Sequence, residues 1–408
     1  MEDVVRPGDG CTGSDKRAPI VPSDEPAIGL SRVPFNRPFV TGDELGFIAE
    51  AIQRAHLSGN GAFTKKCEAW LEATMSCTKA YLTHSCTAAL EMAALLLNVQ
   101  PGDEVILPSF TFVSTANAFV LRGAVPVFVD IRSDTLNLDE TKVEKAVSDR
   151  TKAICVVHYA GCAADMDAIM SAANHRGLYV VEDAAHAHFS CFAGRSLGTI
   201  GHLGALSFHE TKNLISGEGG ALLVNDSTFV ERAAVIREKG TNRSAFLQGL
   251  VDKYTWVDIG SSFSPSEIIA AFLWAQIQKA DEITSSRLRL WERYHAAFAP
   301  LEREGALRRP IASVGGERNG HIYYLLMNSA AEQQGLRRWL LHAGIDAPFH
   351  YVPLHSSIAG RKYGRVSGSL AVTDDVSSRL LRLPLWIGLG EGGIDRVVHE
   401  VRAYLGHA

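Results

Sequence analysis

The stretch KAICVVHYAGCAADMDAIMSAANHRGLYVVEDA (152–184) holds two apolar runs, KAICVVHYA (152–160) and LYVVEDA (178–184), with DMDAIMSAANHRG between them. Each run is short, rich in branched residues and almost continuously apolar, as a strand covered on both faces must be. The segment between them reads as an amphipathic helix. Strand, helix and strand over about thirty residues form the crossover unit of a parallel sheet.

The alternation repeats in both directions. On the N-terminal side, KAYLTH (79–84) precedes the helical CTAALEMAALLLN (86–98), and EVILPS (104–109) precedes FVSTANAFVLRG (112–123). VPVFVDI (125–131) precedes DETKVEKAVS (139–148), read as a further helix. On the C-terminal side, GALSF (204–208) and GALLVND (220–226) read as two strands around a polar loop. After about residue 283 the texture changes: LRLWERYHAAFAPLERE, QQGLRRWLLHAG and IDRVVHEVRAYLG read as helices, and YYLLMN as a strand. The expectation is an α/β chain with a large, mostly parallel domain over 33–282 and a smaller α+β domain over 283–408. Residues 1–32, rich in Pro, Gly, Asp and Ser, read as a tail.

Bulk properties exclude several classes. The chain has 408 residues, 46% hydrophobic and 21% charged, which is the balance of an ordinary globular protein. A formal net charge of −5 without a dense Lys/Arg run speaks against a nucleic-acid surface. No run of about 18 apolar residues points to a membrane span. The seven cysteines (11, 67, 77, 86, 155, 162 and 191) form no CxxC pair and are odd in number. With no apolar targeting core in MEDVVRPGDGCTGSDK, the expectation is a cytoplasmic protein with free thiols.

The chemistry centres on Lys212, in SFHETKNLISGEGGAL (207–222). Alone, a loop lysine is a solvated charge. Its companions give it another reading. Asp183 stands at the C-terminal end of a strand, where open α/β sheets bind ligands. A Schiff-base lysine and a carboxylate beside the ring nitrogen are what pyridoxal phosphate requires; the plain alternative for Asp183 is a turn cap. Ser85, Cys86 and Thr87, at a strand-to-helix junction, fit a phosphate or a simple N-cap. Ser207 can offer a hydroxyl to the same phosphate, and Phe112 can stack on a flat ring or join the core. GEGG (217–220) is read as turn geometry. His186 and His188 lack a third ligand at metal-site spacing, so no metal is expected.

These motifs together resemble the fold-type-I, PLP-dependent sugar aminotransferases of the DegT/StrS type over about residues 33–405. SGNGAFTKKCEAWLE, SCTAALEMAA, PGDEVILPSFTFVSTANAF, GAVPVFVDI, VVHYAG, VVEDAAHA, SFHETKN and GEGGALLVND occur in the family's order. SFHETKN, EKGTNRSAF, DKYTWVDIGSS and FHYVPLH resemble the branch that makes dTDP-4-amino-4,6-dideoxygalactose. The resemblance implies that Lys212 is the Schiff-base lysine and that Asp183 partners the pyridine nitrogen. It implies His186 near the cofactor's phenolic oxygen, Phe112 on the ring, and Ser207 with Ser85, Cys86 and Thr87 at the phosphate. Asn242 then reaches the phosphate in a neighbouring subunit, which implies a homodimer with shared active sites.

The implied reaction takes an amine from L-glutamate, passes through pyridoxamine phosphate, and delivers the amine to dTDP-4-keto-6-deoxy-D-glucose. Arg243 and Lys253 are further candidates for a carboxylate or diphosphate, with surface charge as the alternative. SSFSPSEIIAA (261–271) and HSSIAGRKYG (355–364) depart from the galactose-type pattern and are expected to border the sugar pocket. Rival readings are amination at C3 of a 3-keto sugar and a non-catalytic regulatory protein of the same fold. A sugar dehydratase is disfavoured, because in that branch a histidine stands in place of Lys212.

Overall fold

A computed structural model describes residues 32–311 and 316–407. The tail expected over 1–32 lies, apart from Arg32, outside the described residues. The first five strands are β1 (Lys79–Thr83), β2 (Glu104–Pro108), β3 (Val125–Val129), β4 (Thr151–Val157) and β5 (Tyr179–Asp183). A short hairpin, β6 (Cys191–Phe192) and β7 (Arg195–Ser196), precedes β8 (Leu203–Ser207) and β9 (Gly220–Val224). The C-terminal part adds β10 (Leu307–Arg308), β11 (Tyr323–Met327), β12 (Arg365–Val366) and β13 (Leu380–Leu383).

The large sheet has the order β1-β9-β8-β5-β4-β2-β3-β12. Only β9 runs against the others, pairing antiparallel with both β1 and β8. The mostly parallel α/β sheet expected from the sequence is therefore present. Side-chain alternation feeds two cores from the same strands. Ile106 and Val180 face one cluster, with Phe63, Leu71 and Leu206. Val105, Leu107 and Val181 face the other, with Leu90, Met92 and Leu222. Each such fully buried aliphatic side chain contributes about 2 kcal/mol, so a sheet with two covered faces needs these unbroken apolar runs.

A third cluster surrounds the small sheet β10-β11-β13 and includes Tyr294, Tyr323, Leu325, Leu336, Leu381 and Val397. Two features tie it to the large sheet. Helix Ala280–Ala297 places Ala280 and Ile283 in the first cluster but Leu290, Trp291 and Tyr294 in the third. Strand β12, although late in the chain, pairs parallel with β3 at the edge of the large sheet. The helix expected over 139–148 is shorter than its pattern: a 3-10 turn, Glu140–Lys142, leads into Val143–Ala146. Only Val143 and Ala146 of that segment are buried, too little apolar surface to hold a longer helix.

Because the parallel strands share a direction, β1, β2, β5 and β8 all end at one edge of the sheet. That edge carries Ser85, Phe112, Asp183 and the loop bearing Lys212. Elsewhere in the fold a buried carboxylate fixes a helix start. Glu267, buried at the start of helix Glu267–Ile277, accepts from the amides of Gly61 (3.0 Å), Phe63 (2.7 Å) and Thr64 (3.0 Å), and from the Thr64 hydroxyl. It thereby caps helix Ala62–Met75, and a side chain at Gly61 would overlap its carboxyl carbon. Glu267→Ala orphans these buried donors and should lower stability by about 3 kcal/mol or more, read from urea unfolding midpoints.

Candidate active site

The edge opens into a cavity of ≈ 640 Å³. Ser85, Cys86, Thr87, Phe112, Asp183, His186, Ser207 and Lys212 all line it. These eight residues span 128 positions of the chain, and the fold brings them to one wall.

Asp183 is buried at the last position of β5. Its Oδ2 accepts from the Thr115 hydroxyl at 2.7 Å and its Oδ1 from the Ala185 amide at 3.2 Å. Thr111 in turn meets Thr115, hydroxyl to hydroxyl, at 2.8 Å. Among the described residues no cation forms an ion pair with Asp183. A buried carboxylate held by two neutral donors calls for a cationic N–H in the cavity.

Lys212 lies in the connection between β8 and β9, its amide bonded to the His209 carbonyl at 2.9 Å. The loop closes tightly: the Phe208 amide reaches the Gly219 carbonyl and the Glu210 amide the Gly217 carbonyl, both at 2.8 Å. Gly217 takes φ +79°, which other residues adopt only under strain. Gly220 passes so close to the Ser85–Cys86 peptide that a Cβ there would overlap the Cys86 amide nitrogen. The turn-geometry reading of GEGG holds. Burial brings the Lys212 amine down to about 8, against the upward pull of Cys86 and Asp183 and with help from Arg382.

Ser85 is an N-cap whose hydroxyl accepts from the Ala88 amide at 3.1 Å, at the start of helix Cys86–Leu96. The following amides of Cys86 and Thr87 are the first-turn donors that a helix leaves without a carbonyl partner. The Ser207 oxygen accepts from the His209 amide at 3.4 Å, which leaves its own O–H to give. Phe112 is 57% exposed, an aromatic face turned to the cavity rather than into the core. His186 accepts from the Ala160 amide at Nδ1 (3.3 Å), which assigns its proton to Nε2. Anion-binding amides, an open aromatic face, an unpaired carboxylate and a low-pKa amine together fit pyridoxal phosphate.

Several neighbours escaped the sequence reading. His321 and His350 line the cavity beside His186, and burial, aided by nearby Lys212, holds all three well below the ordinary histidine value. Tyr351, Arg287 and Arg382 line it too. Asn213, next to the lysine, gives Nδ2–H to the Asn319 carbonyl (2.8 Å) and faces His321 Nδ1 with Oδ1 (2.9 Å). The signal for Thr115 was present, three residues after Phe112 in a helix first turn; His350 and Tyr351 lie in FHYVPLH, quoted above for its resemblance, whereas nothing local marks His321 or Arg382.

Other expected residues lie elsewhere. Asn242 is outside this cavity, its Oδ1 accepting from the Thr255 amide at 2.7 Å. Arg243 and Lys253 are exposed on the same loop. Segments 261–271 and 355–364, expected at the sugar pocket, contribute nothing to the cavity lining. Instead Ser266 and Ser357 cap helices, and Glu267 clamps residues 61–64. Among the described residues no group of three His, Cys, Asp or Glu is placed to hold a metal ion.

Fold and cavity define a fold-type-I enzyme dependent on pyridoxal phosphate. Residues 40–402 match the DegT/DnrJ/EryC1/StrS aminotransferase family, and the chain belongs to it. It is 31% identical over 380 residues to the spore coat polysaccharide biosynthesis protein SpsC of Bacillus subtilis (strain 168), covering 91% of this chain and 96% of that one. The crystal structure of the aminotransferase TlmJ from Streptoalloteichus hindustanus superposes with a TM-score of 0.84 at 32% identity, covering 92% of this chain and 99% of that one. A DegT/DnrJ/EryC1/StrS aminotransferase from Brucella abortus gives 0.81 at 28%, covering 90% and 96%. The protein is a sugar aminotransferase.

The lowered amine has a direct consequence. The neutral fraction of Lys212 should rise with pH around 8 instead of near its ordinary 10.5. Borohydride trapping of pyridoxal phosphate on Lys212 at a series of pH values should show its half-maximal initial rate close to the lower value.

Proposed function

We propose that the protein transfers the amino group of L-glutamate to dTDP-4-keto-6-deoxy-D-glucose, giving a dTDP-4-amino-4,6-dideoxyhexose. The observation that carries the reading is Lys212, its amine brought to about 8 in the same cavity as the unpaired carboxylate of Asp183. The choice of sugar and donor is supported by the wording of SFHETKN, EKGTNRSAF, DKYTWVDIGSS and FHYVPLH. A cavity of ≈ 640 Å³ is of the size that holds a cofactor-bound small molecule.

When bound, pyridoxal phosphate supplies the electron sink that lets a proton leave the carbon bearing the amine. The chain's residues do the rest. With a value near 8, Lys212 can both take a proton and return it at neutral pH, as a general acid/base must. Asp183 would hold positive charge at the ring nitrogen, and Thr115 and the Ala185 amide keep that carboxylate aimed. The Cys86 and Thr87 amides and the Ser207 hydroxyl would hold the phosphate. Phe112 would lie against the ring, and His186 would offer Nε2–H to its phenolic oxygen. Burial keeps His186, His321 and His350 neutral, so they do not compete with the lysine as cations.

The working unit in this reading is a homodimer. The loop carrying Asn242 exposes Phe246, Leu247, Leu250, Tyr254 and Trp256, an apolar face suited to a second copy. Free thiols at Cys67, Cys77, Cys86, Cys155 and Cys191 suit a reducing cytoplasm.

The reading is tested with dTDP-4-keto-6-deoxyglucose, pyridoxal phosphate and L-glutamate, the product assigned by NMR. An amine at C4 is expected, with the H3–H4 and H4–H5 couplings reporting galacto or gluco configuration. Amination of the 3-keto isomer alone would replace this reading with its C3 counterpart. Lys212→Arg should lose about 10³-fold or more in turnover. If sites are shared, a mixture of Lys212→Ala and Asn242→Ala proteins should exceed the average activity of the two, because one site of each mixed dimer is restored. Activity equal to the average would exclude a shared site.

A further inference from the structure

Two carboxylates line the cavity, Asp183 at the end of β5 and Glu218 on an open rim. The Glu218 side chain is 68% exposed, and among the described residues no Lys or Arg pairs with it. The turn fixes its place. It stands between Gly217, at φ +79°, and Gly219, packed on Ser216 and Phe208, and its carbonyl accepts from the Ser216 hydroxyl at 3.0 Å. Across the loop, His209 Nδ1 accepts from the Thr211 amide at 3.2 Å, which assigns the ring proton to Nε2. That Nε2–H faces Glu218 Oε1 at 3.7 Å. Asn36 completes the rim: its Nδ2 gives to the Glu210 carbonyl at 3.3 Å, which leaves Oδ1 as an acceptor. Segment 33–36 is itself held in place. Val33 bonds through its backbone to Gly344 (2.8 Å) and Asp346 (3.0 Å), and the Trp386 indole gives to the Pro34 carbonyl (3.1 Å).

We propose that Glu218, steered by His209, and Asn36 Oδ1 accept the ring hydroxyls of the sugar substrate and so determine which sugars are aminated. This deepens the transamination reading and rests on it. The rim offers acceptors, whereas the groups around Lys212 offer mostly donors: the Cys86 and Thr87 amides, the Ser207 hydroxyl and the amine itself. A carboxylate or a diphosphate has no proton to give an acceptor at neutral pH, and Glu218 repels both. The reacting amine of the donor belongs at Lys212, whose own amine is withdrawn from water, whereas Glu218 is open to it. The sugar ring remains. Its hydroxyls are donors, and the two oxygens of one carboxylate can take both O–H groups of a vicinal pair. Elsewhere on the margin Phe112, Phe349 and Val352 are exposed and apolar, with nothing to offer a hydroxyl.

The test compares dTDP-glucose with dTDP in calorimetric titration of the holoenzyme, so that the difference reports the sugar alone. Wild type should bind dTDP-glucose ~10-fold or more tighter than dTDP. In Glu218→Ala the two affinities should come within ~3-fold of each other, with that for dTDP unchanged. Glu218→Gln and Asn36→Ala should each lose part of the difference. With the half-reactions followed by cofactor absorbance, Glu218→Ala should raise the half-saturating keto-sugar concentration ~10-fold and leave that of L-glutamate within ~3-fold. No sugar difference in wild type, or an undiminished one in Glu218→Ala, would overturn the proposal. Equal losses for dTDP or for L-glutamate would do so too, since they mark a disturbed loop. A change in oligomeric state would assign the carboxylate to a contact between copies and overturn it as well. A wild type that binds neither ligand would instead refute the dTDP assignment; UDP and UDP-glucose, which carries the same ring, then decide by the same difference. Should Glu218→Ala fail to fold, Glu218→Gln decides: a full sugar difference in that variant would overturn the proposal.

Discussion

A carboxylate kept out of water at the end of a central strand is the constraint on which the site depends. Asp183 has two neutral donors and no ion pair, so its position is held by geometry rather than by charge. The neighbouring Glu182 supplies much of that geometry from the opposite face. It accepts from the amides of Gly198 (2.8 Å), Ile200 (2.7 Å) and Gly201 (2.6 Å) and meets His158 Nε2 at 2.9 Å. Strand alternation sends the two carboxylates to opposite sides, so one pins the strand end while the other faces the cavity. Moving β5 by a fraction of an ångström would strain four buried hydrogen bonds at Glu182 before it reached Asp183.

The Lys212 amine depends on a longer chain of contacts. Lys212 belongs to the large sheet's β8–β9 loop, yet Asn213 ties that loop to Asn319 and His321. Asn319 also gives both Nδ2 hydrogens to carbonyls beyond β5, those of His186 and His188, at 2.7 Å each. One C-terminal asparagine thus joins the strand bearing the carboxylate to the loop bearing the amine. The electrostatics follow from the same enclosure. Burial penalises charge, so the histidines stay neutral and the lysine amine is lowered.

Much of this was legible in the sequence because it is local. A strand covered on both faces must be an apolar run, a helix needs its cap, and parallel strands must end at one edge; Ser85, Phe112, Asp183, Ser207 and Lys212 follow from those rules. Departures arose where packing, not pattern, decided. The 139–148 segment lost most of its helix because only two of its residues find apolar partners. The segments 261–271 and 355–364, read as pocket walls, are capping structures that hold helix starts. Strand β12 joins the large sheet because its partner β3 offers an open edge, a fact that no feature near residue 365 announces.

The sequence by itself determined the strand–helix alternation, the sheet edge that carries the cavity, and the placing of Lys212 and Asp183 at that edge. It could do so because each depends on neighbours a few positions away. Only the tertiary structure decided that His321, His350, Tyr351 and Arg382 share the cavity with them. Their placement comes from long-range packing of the small sheet against the large one, through helix Ala280–Ala297 and the Asn319 contacts. Such contacts join residues more than a hundred positions apart, and burial, which sets the charge of each group, exists only once those residues have met.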